Sequence, residues 1–387
     1  MTTKEKDAEY IVHTYARFPV VLVSGKGSIL VDEDGKEYID MGSGIGVNIF
    51  GAADEEWEKA VKAQLSTLQH ASNLFYTVPC AELAEKLCKK TGLKKVFFTN
   101  SGAEANECAI KAARKWACEN KGAEYFNIVT LVNSFHGRTL ATLAATGQDA
   151  FHKDFLPLTP GFLYAPAGDA AAVEKLVAEN KCAAIMFEAV QGEGGVVALG
   201  GEFVNALDEI AKKHDLLLIA DEVQCGNGRS GKYFAYMNYG VKPDIVTTAK
   251  GLGGGLPIGA TLFNERTQDV LTAGTHGSTF GGNPVAAAGA VSIVDRLTDE
   301  FMDEVAAKSD YVVKMLTGAK GITAVTGMGL MLGVSVTRGA DAVLADLRDE
   351  GVLVLKAKDK IRLLPPLNIG WKELEKAVEI ILKVCAK

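Results

Sequence analysis

Apolar residues along this chain recur in two rhythms, and the two alternate most densely in its middle. Short apolar runs at 96–99, 127–132, 183–187, 216–220 and 244–248 have the length of strands. Between them, 103–117, 170–181 and 202–213 read as helices, the first alanine-rich and free of proline. The run at 216–220 is apolar throughout, as in a strand buried on both faces of a parallel sheet, and 244–248 is rich in β-branched residues. This alternation predicts an α/β domain with several parallel strands and with polar residues gathered at strand ends, where open sheets bind ligands.

The flanks follow other patterns. Residues 20–23 and 28–31 lie either side of Gly25-Lys26-Gly27, and a second turn at Asp34-Gly35 leads into 36–40, which predicts a small antiparallel meander. Helical spacing follows at Trp57, Val61, Leu65 and Leu68, and again at Leu83, Leu87 and Cys88. Beyond Pro284 come long helices at 285–297 and 302–316, strands at 330–336, 352–355 and 361–363, and an amphipathic helix at 372–385. The expected division is an amino-terminal segment 1–53 belonging to a smaller unit, a large domain 54–284, and a carboxyl-terminal α+β domain 285–387.

A chain of 387 residues exceeds what a single core usually organises, in keeping with two domains. A net charge of -7 argues against nucleic acid or an anionic membrane as the main partner. Seven cysteines are scattered with no CxxC pair and no cysteine–histidine cluster at zinc spacing, so they read as reduced thiols rather than as a metal site. The polar start and the absence of an apolar segment of membrane-spanning length lead us to expect a cytoplasmic protein.

The candidate chemistry sits at strand ends. The run 216–220 delivers Asp221 and Glu222, and 244–248 delivers Lys250 ahead of glycines at 251 and 253–255. One chemistry needing such a pair is that of pyridoxal phosphate, where a lysine amine carries the cofactor as a Schiff base and an aspartate keeps its pyridine nitrogen protonated. Ser101-Gly102 opens a helix, which is either a plain N-cap or a phosphate site. Phe135 and Arg138 are either core and surface residues or a stacking ring and a carboxylate fork, and His136 reads as structural. Glu188 and the run Gln191-Gly192-Glu193-Gly194-Gly195 follow another strand, and Ser278 and Thr279 offer hydroxyls from a turn-rich loop.

Residues 226–231 match G-x-G-x-x-G, but four residues separate them from Asp221, and neither an amphipathic helix nor a suitably spaced acid follows, so a nicotinamide site fails in context. Read as a nucleotide-phosphate loop, the same glycines lead to Tyr233 where a Ser or Thr is required.

The stretches HASNLFY, TNSGAEANE, FHGRT, QGEGG, ADEVQCGNGRSGKYFA, TTAKGLGGGLPIGA, STFGGNP and IRLLPPL, in this order, resemble the class III, fold-type I pyridoxal phosphate aminotransferases from about Tyr15 to the end. The resemblance implies a large domain with a mostly parallel sheet flanked by helices, plus the smaller α+β domain. It implies Lys250 as Schiff-base lysine and proton shuttle, Asp221 as partner of the pyridine nitrogen with Glu222 beside it, Val223 and Phe135 on the two ring faces, and Gln224 on the ring hydroxyl. Ser101, Gly102 and Ala103 would hold the phosphate. Thr279 would reach that phosphate from a neighbouring subunit, with Ser278 near the substrate, so that the active site needs a homodimer. Arg138 would bind the substrate carboxylate and Arg362 a second one, with Glu193 covering Arg362 when the donor has only one.

Three positions depart from the family pattern. Gly51 is followed by Ala52-Ala53-Asp54 instead of His-x-His-Pro, and Glu188 by Ala189 instead of proline. Gly44 stands where ornithine aminotransferases have tyrosine, which leaves room for an acylated amine. The expected substrates are therefore N2-acetylornithine and 2-oxoglutarate. Alternatives are succinylornithine, ornithine, 4-aminobutyrate or N-succinyl-diaminopimelate as donor and, outside the class, a nicotinamide oxidoreductase.

Overall fold

The computed structural model describes all 387 residues. Its centre is a seven-stranded sheet in the order Lys95–Thr99, Gly259–Phe263, Ile245–Thr248, Leu217–Asp221, Cys182–Phe187, Asn127–Leu131, Phe162–Ala165. The five strands from Ile245–Thr248 to Phe162–Ala165 are parallel, while Gly259–Phe263 runs antiparallel to both of its neighbours. Strands 182–187, 217–221 and 245–248 are buried at every residue, which explains their unbroken apolarity. Asp221 pairs in register with Thr247, so the strands that deliver Asp221 and Lys250 finish side by side.

The 19-residue helix Gly102–Asn120 lies on this sheet. Its buried stripe includes Ala105, Ala109, Ala112, Ala113 and Trp116, and the small side chains let the Thr261 hydroxyl donate to the Ala105 carbonyl at 2.8 Å. Its start is fixed reciprocally. The Ser101 side chain accepts from Glu104 N, and the Glu104 carboxylate accepts from Asn100 N at 2.7 Å.

A second core unites both ends of the chain. Ile39 and Met41 pack there with residues of the helices Asp299–Leu316, Ala340–Asp349 and Trp371–Cys385 and of the strands Met331–Val336 and Lys360–Leu363. The expected meander forms as Leu22–Lys26, Ile29–Asp32 and Glu37–Asp40. The expected strand at 352–355 divides, because Val352–Leu353 pairs with the meander whereas Leu355–Ala357 pairs with Lys360–Leu363.

The domain break expected at 285 falls at the start of a helix that packs with the large core. Helix Pro284–Arg296 buries Ala286, Ala287, Ala290, Ile293 and Val294 in the large core and packs on Glu55–Leu65 and Val78–Thr91. The cores change hands inside Asp299–Leu316, where Met302 and Val305 face one and Val312 and Leu316 the other. The βα alternation ends near 285, but the core it builds needs one more helix. No helix is long and apolar enough to cross a membrane.

Candidate active site

A cavity of about 400 Å³ opens at the strand ends. Asp221 and Lys250 form its floor, residues 101–103 close one end, and residues 135–138 form a wall. Asp221, 3% exposed, is held from three directions. Its Oδ2 accepts from Asn106 Nδ2 and pairs with His136 Nδ1, both at 2.8 Å, and its Oδ1 accepts from Val223 N at 3.0 Å. Asn106 is fixed in turn, accepting at Oδ1 from the Thr247 hydroxyl at 2.7 Å and donating to the His136 carbonyl. Three donors on one carboxylate keep it oriented.

Lys250 has φ 44°, a left-handed backbone that disfavours a residue with a Cβ and is stored where surrounding structure enforces it. Asn227 supplies part of that enforcement by donating to the Ala249 carbonyl and the Thr248 hydroxyl. Burial lowers the pKa of the Lys250 amine, against the upward pull of Glu193 and Asp221, which enlarges the neutral, nucleophilic fraction. Glu188 shares the cavity wall, and its carboxylate accepts from Phe135 N at 2.9 Å. Burial first, and then the charge of Asp221, push its pKa well above the ordinary value.

The rim is built differently. Arg362 Nη1 donates to Glu193 Oε1 at 2.6 Å and to Gln224 Oε1 at 3.1 Å. Although burial pushes the Glu193 pKa up, the charge and hydrogen bond of Arg362 hold it below the ordinary carboxylate value. The Arg138 guanidinium lies 4.0 Å from the Phe151 ring centroid and 5.4 Å from that of Phe135.

The structure thus gathers Ser101, Gly102, Ala103, Phe135, Arg138, Asp221, Val223, Gln224 and Lys250 around one cavity. Glu193 and Arg362 adjoin it through Gln224. Ser278 and Thr279 instead line a neighbouring hollow that shares Asn100, whose Nδ2 donates to Ser278 Oγ at 3.2 Å. Glu222 is not at the site. Alternation along the chain turns it away from Asp221, and its buried carboxylate accepts from Ala235 N and Tyr236 N, both at 2.8 Å. Asn106, His136 and Glu188 join the site without having been assigned to it from sequence. The signal for Asn106 is a polar residue inside an alanine-rich helix, and for Glu188 an acid closing a buried run.

The chemistry of this cavity fits pyridoxal phosphate. The first two N–H groups of a long helix, those of Gly102 and Ala103, remain without a protein acceptor at its edge and bring a positive end to it. A Cβ at Gly102 would come within 2.5 Å of Val223 Cγ1, so only glycine allows helix start and ring wall to meet. His136 Nε2 is buried without a protein partner, directly behind the carboxylate suited to a pyridine nitrogen. The glycines at 226–231 form a turn with φ 83° at Gly228 and 81° at Gly231, and no α-helix opens there to receive a nucleotide phosphate.

The family model described as aminotransferase class-III matches residues 10–385. The chain is 48% identical to the acetylornithine aminotransferase of Haemophilus ducreyi over 99% of its own length and 98% of that protein. It is 41% identical to the enzyme of the same name from Methanocaldococcus jannaschii, covering 98% and 96%. Among solved structures, an ornithine aminotransferase from Toxoplasma gondii, described with pyridoxal phosphate partly occupying its active site, superposes with a TM-score of 0.94. That match has 32% identity and covers 99% of this chain and 93% of the other.

Proposed function

The chain belongs to the class-III aminotransferases, and from that premise we propose that it moves the δ-amine of N2-acetyl-L-ornithine to 2-oxoglutarate. The products are N-acetyl-L-glutamate 5-semialdehyde and L-glutamate, a step of arginine biosynthesis. The observation that carries this reading is the Arg362–Glu193 pair beside Lys250. A buried arginine with a removable carboxylate cover suits an enzyme whose acceptor brings a second carboxylate and whose donor does not.

Pyridoxal phosphate, the cofactor of this family, supplies when bound an electron sink for the negative charge that develops at the reacting carbon. Asp221 would hold its ring nitrogen, Phe135 and Val223 its faces, Gln224 its hydroxyl, and Ser101, Gly102 and Ala103 its phosphate. Lys250 Nζ would hold the cofactor and, when free, would take a proton as a base from the donor carbon bearing the amine and give it back as an acid. Arg138, steadied by Phe151, takes the donor carboxylate, and Arg362 takes the acceptor's second carboxylate once Glu193 swings aside. Donor choice is supported by Gly44, whose φ of 63° and ψ of 39° a tyrosine would adopt only with strain.

The active site is completed by a second copy of the chain. Leu74, Tyr76 and Phe280 are 89%, 107% and 60% exposed, and Phe280 lies at the hollow that holds Ser278 and Thr279. This supports a homodimer in which Thr279 reaches the partner's phosphate site. Seven free cysteines fit a cytoplasmic setting.

The test is a single-turnover absorbance measurement on the cofactor-loaded protein mixed separately with N2-acetylornithine, N2-succinylornithine, ornithine and 4-aminobutyrate. Fastest conversion by acetylornithine, with recovery on adding 2-oxoglutarate, is the expected result. Faster reaction of another amine would replace the donor, and a colourless protein that takes up no cofactor would remove the mechanism.

A further inference from the structure

The glycine-rich turn at 226–231 takes no part in the chemistry above, yet it carries the largest fully buried side chain, Arg229. Its guanidinium is fully buried. Nη1 donates to the carbonyls of Pro365 at 2.5 Å and Leu330 at 3.1 Å, and Nη2 lies 3.5 Å from Ser43 Oγ. The Arg229 carbonyl also accepts from Leu330 N at 2.9 Å. Burial lowers the pKa of this guanidinium to about 9 against the opposing charge of Asp40, so a buried cation is kept here at a desolvation cost that packing alone would not require.

The two carbonyls mark one end of a strand pair. Leu330 precedes Met331–Val336, Pro365 follows Lys360–Leu363, and these strands pair with Gly333 opposite Arg362. Arg362 itself is held at its tip only, with Nε buried and unpartnered, so its aim depends on where its strand sits. The loop carrying Gly44 touches Arg229 through Ser43 but has further anchors of its own, Ser43 Oγ donating to the Leu364 carbonyl at 2.6 Å and the Asp40 carboxylate accepting from Gly42 N and Ser43 N.

We infer that Arg229 is a positioning residue for the acceptor half-reaction: it clamps the strand ends that aim Arg362 into the cavity of the other core. This rests on the reading of Arg362 as the acceptor's carboxylate partner.

The test compares Arg229→Lys and Arg229→Gln with the parent protein in both half-reactions, alongside Arg362→Ala, and follows amide exchange of Leu332, Gly333 and Arg362. In the Arg229 variants the KM for 2-oxoglutarate should rise by about tenfold or more, as for a displaced binding group. Donor conversion should change by no more than about twofold. Exchange at the three amides should quicken, and the lysine variant, retaining charge and one donor, should lie between parent and glutamine variant. Lysine also keeps the test open if the glutamine variant does not fold. Equal losses in both half-reactions, or a lowered melting temperature with an unchanged KM, would overturn the assignment. If Arg362→Ala leaves the KM for 2-oxoglutarate unchanged, the reading of Arg362 fails, and unchanged exchange at the strand end overturns the clamp independently.

Discussion

The floor and the rim of the cavity hold their charges by opposite means. At the floor, Asp221, Asn106, His136 and Thr247 are buried and share at least four hydrogen bonds between 2.7 and 2.8 Å. At the rim, the Glu193 carboxylate, 30% exposed, meets an arginine delivered by the other domain. The floor is over-determined and cannot rearrange without leaving a buried polar group unsatisfied, whereas the rim can exchange one carboxylate for another at little cost. An enzyme that runs two half-reactions with one set of catalytic groups needs both: a floor that stays the same and a rim that changes with the substrate.

The contrast is tested hardest by Asp221→Asn. The amide would set its NH₂ either against the donors of Asn106 and His136 or against Val223 N, and it removes the charge proposed to face the ring nitrogen. Turnover should fall by about a hundredfold or more in both half-reactions alike, as when a preorganised electrostatic group is lost. Single-turnover rates for donor and acceptor measure this, and a loss confined to one of them would mean that the floor is not shared.

Glu193→Ala should act on the rim alone. With the cover gone, Arg362 faces a donor that has no carboxylate for it, so kcat/KM for N2-acetylornithine should fall by about tenfold, a loss of the order of one charge-assisted hydrogen bond. The KM for 2-oxoglutarate should stay the same or drop. Separate half-reaction kinetics decide it, and equal effects on both substrates would erase the distinction between floor and rim.

The floor was more legible in sequence than the rim, for a physical reason. Strand ends are local: an apolar run closing on Asp221 or reaching Lys250 shows the residue and its position together. The Arg362–Glu193 pair joins residues 169 apart, and no periodicity in either segment points to the other, so its roles came only through resemblance. Asn106 and His136 were missed because their function is to hold Asp221 rather than to meet a ligand. The strands Phe162–Ala165 and Gly259–Phe263 were hidden too, one a short edge strand after Pro160-Gly161 and the other following a glycine-rich turn that masks its start.

Glu222 puts the smallest effect to the sharpest use, because it is the neighbour of Asp221 and faces away from the cavity. Burial pushes its pKa up to about 7, with the N–H groups of Ala235 and Tyr236 opposing. A carboxyl whose pKa is raised on folding contributes stability that is fully present below its unfolded value of about 4.3 and is lost as pH rises toward the folded value. The melting temperature of the parent protein should therefore carry a downward component between these two pH values. Glu222→Gln, which does not ionise, should lack that component, at the expense of about 1 kcal/mol for one backbone N–H left facing an amide NH₂. Donor conversion should stay within about twofold of the parent, since neither carboxylate oxygen reaches the cavity. A Glu222→Gln protein with parental pH dependence would show that the carboxylate stays ionised in the core. One with activity as low as Asp221→Asn would return Glu222 to the floor.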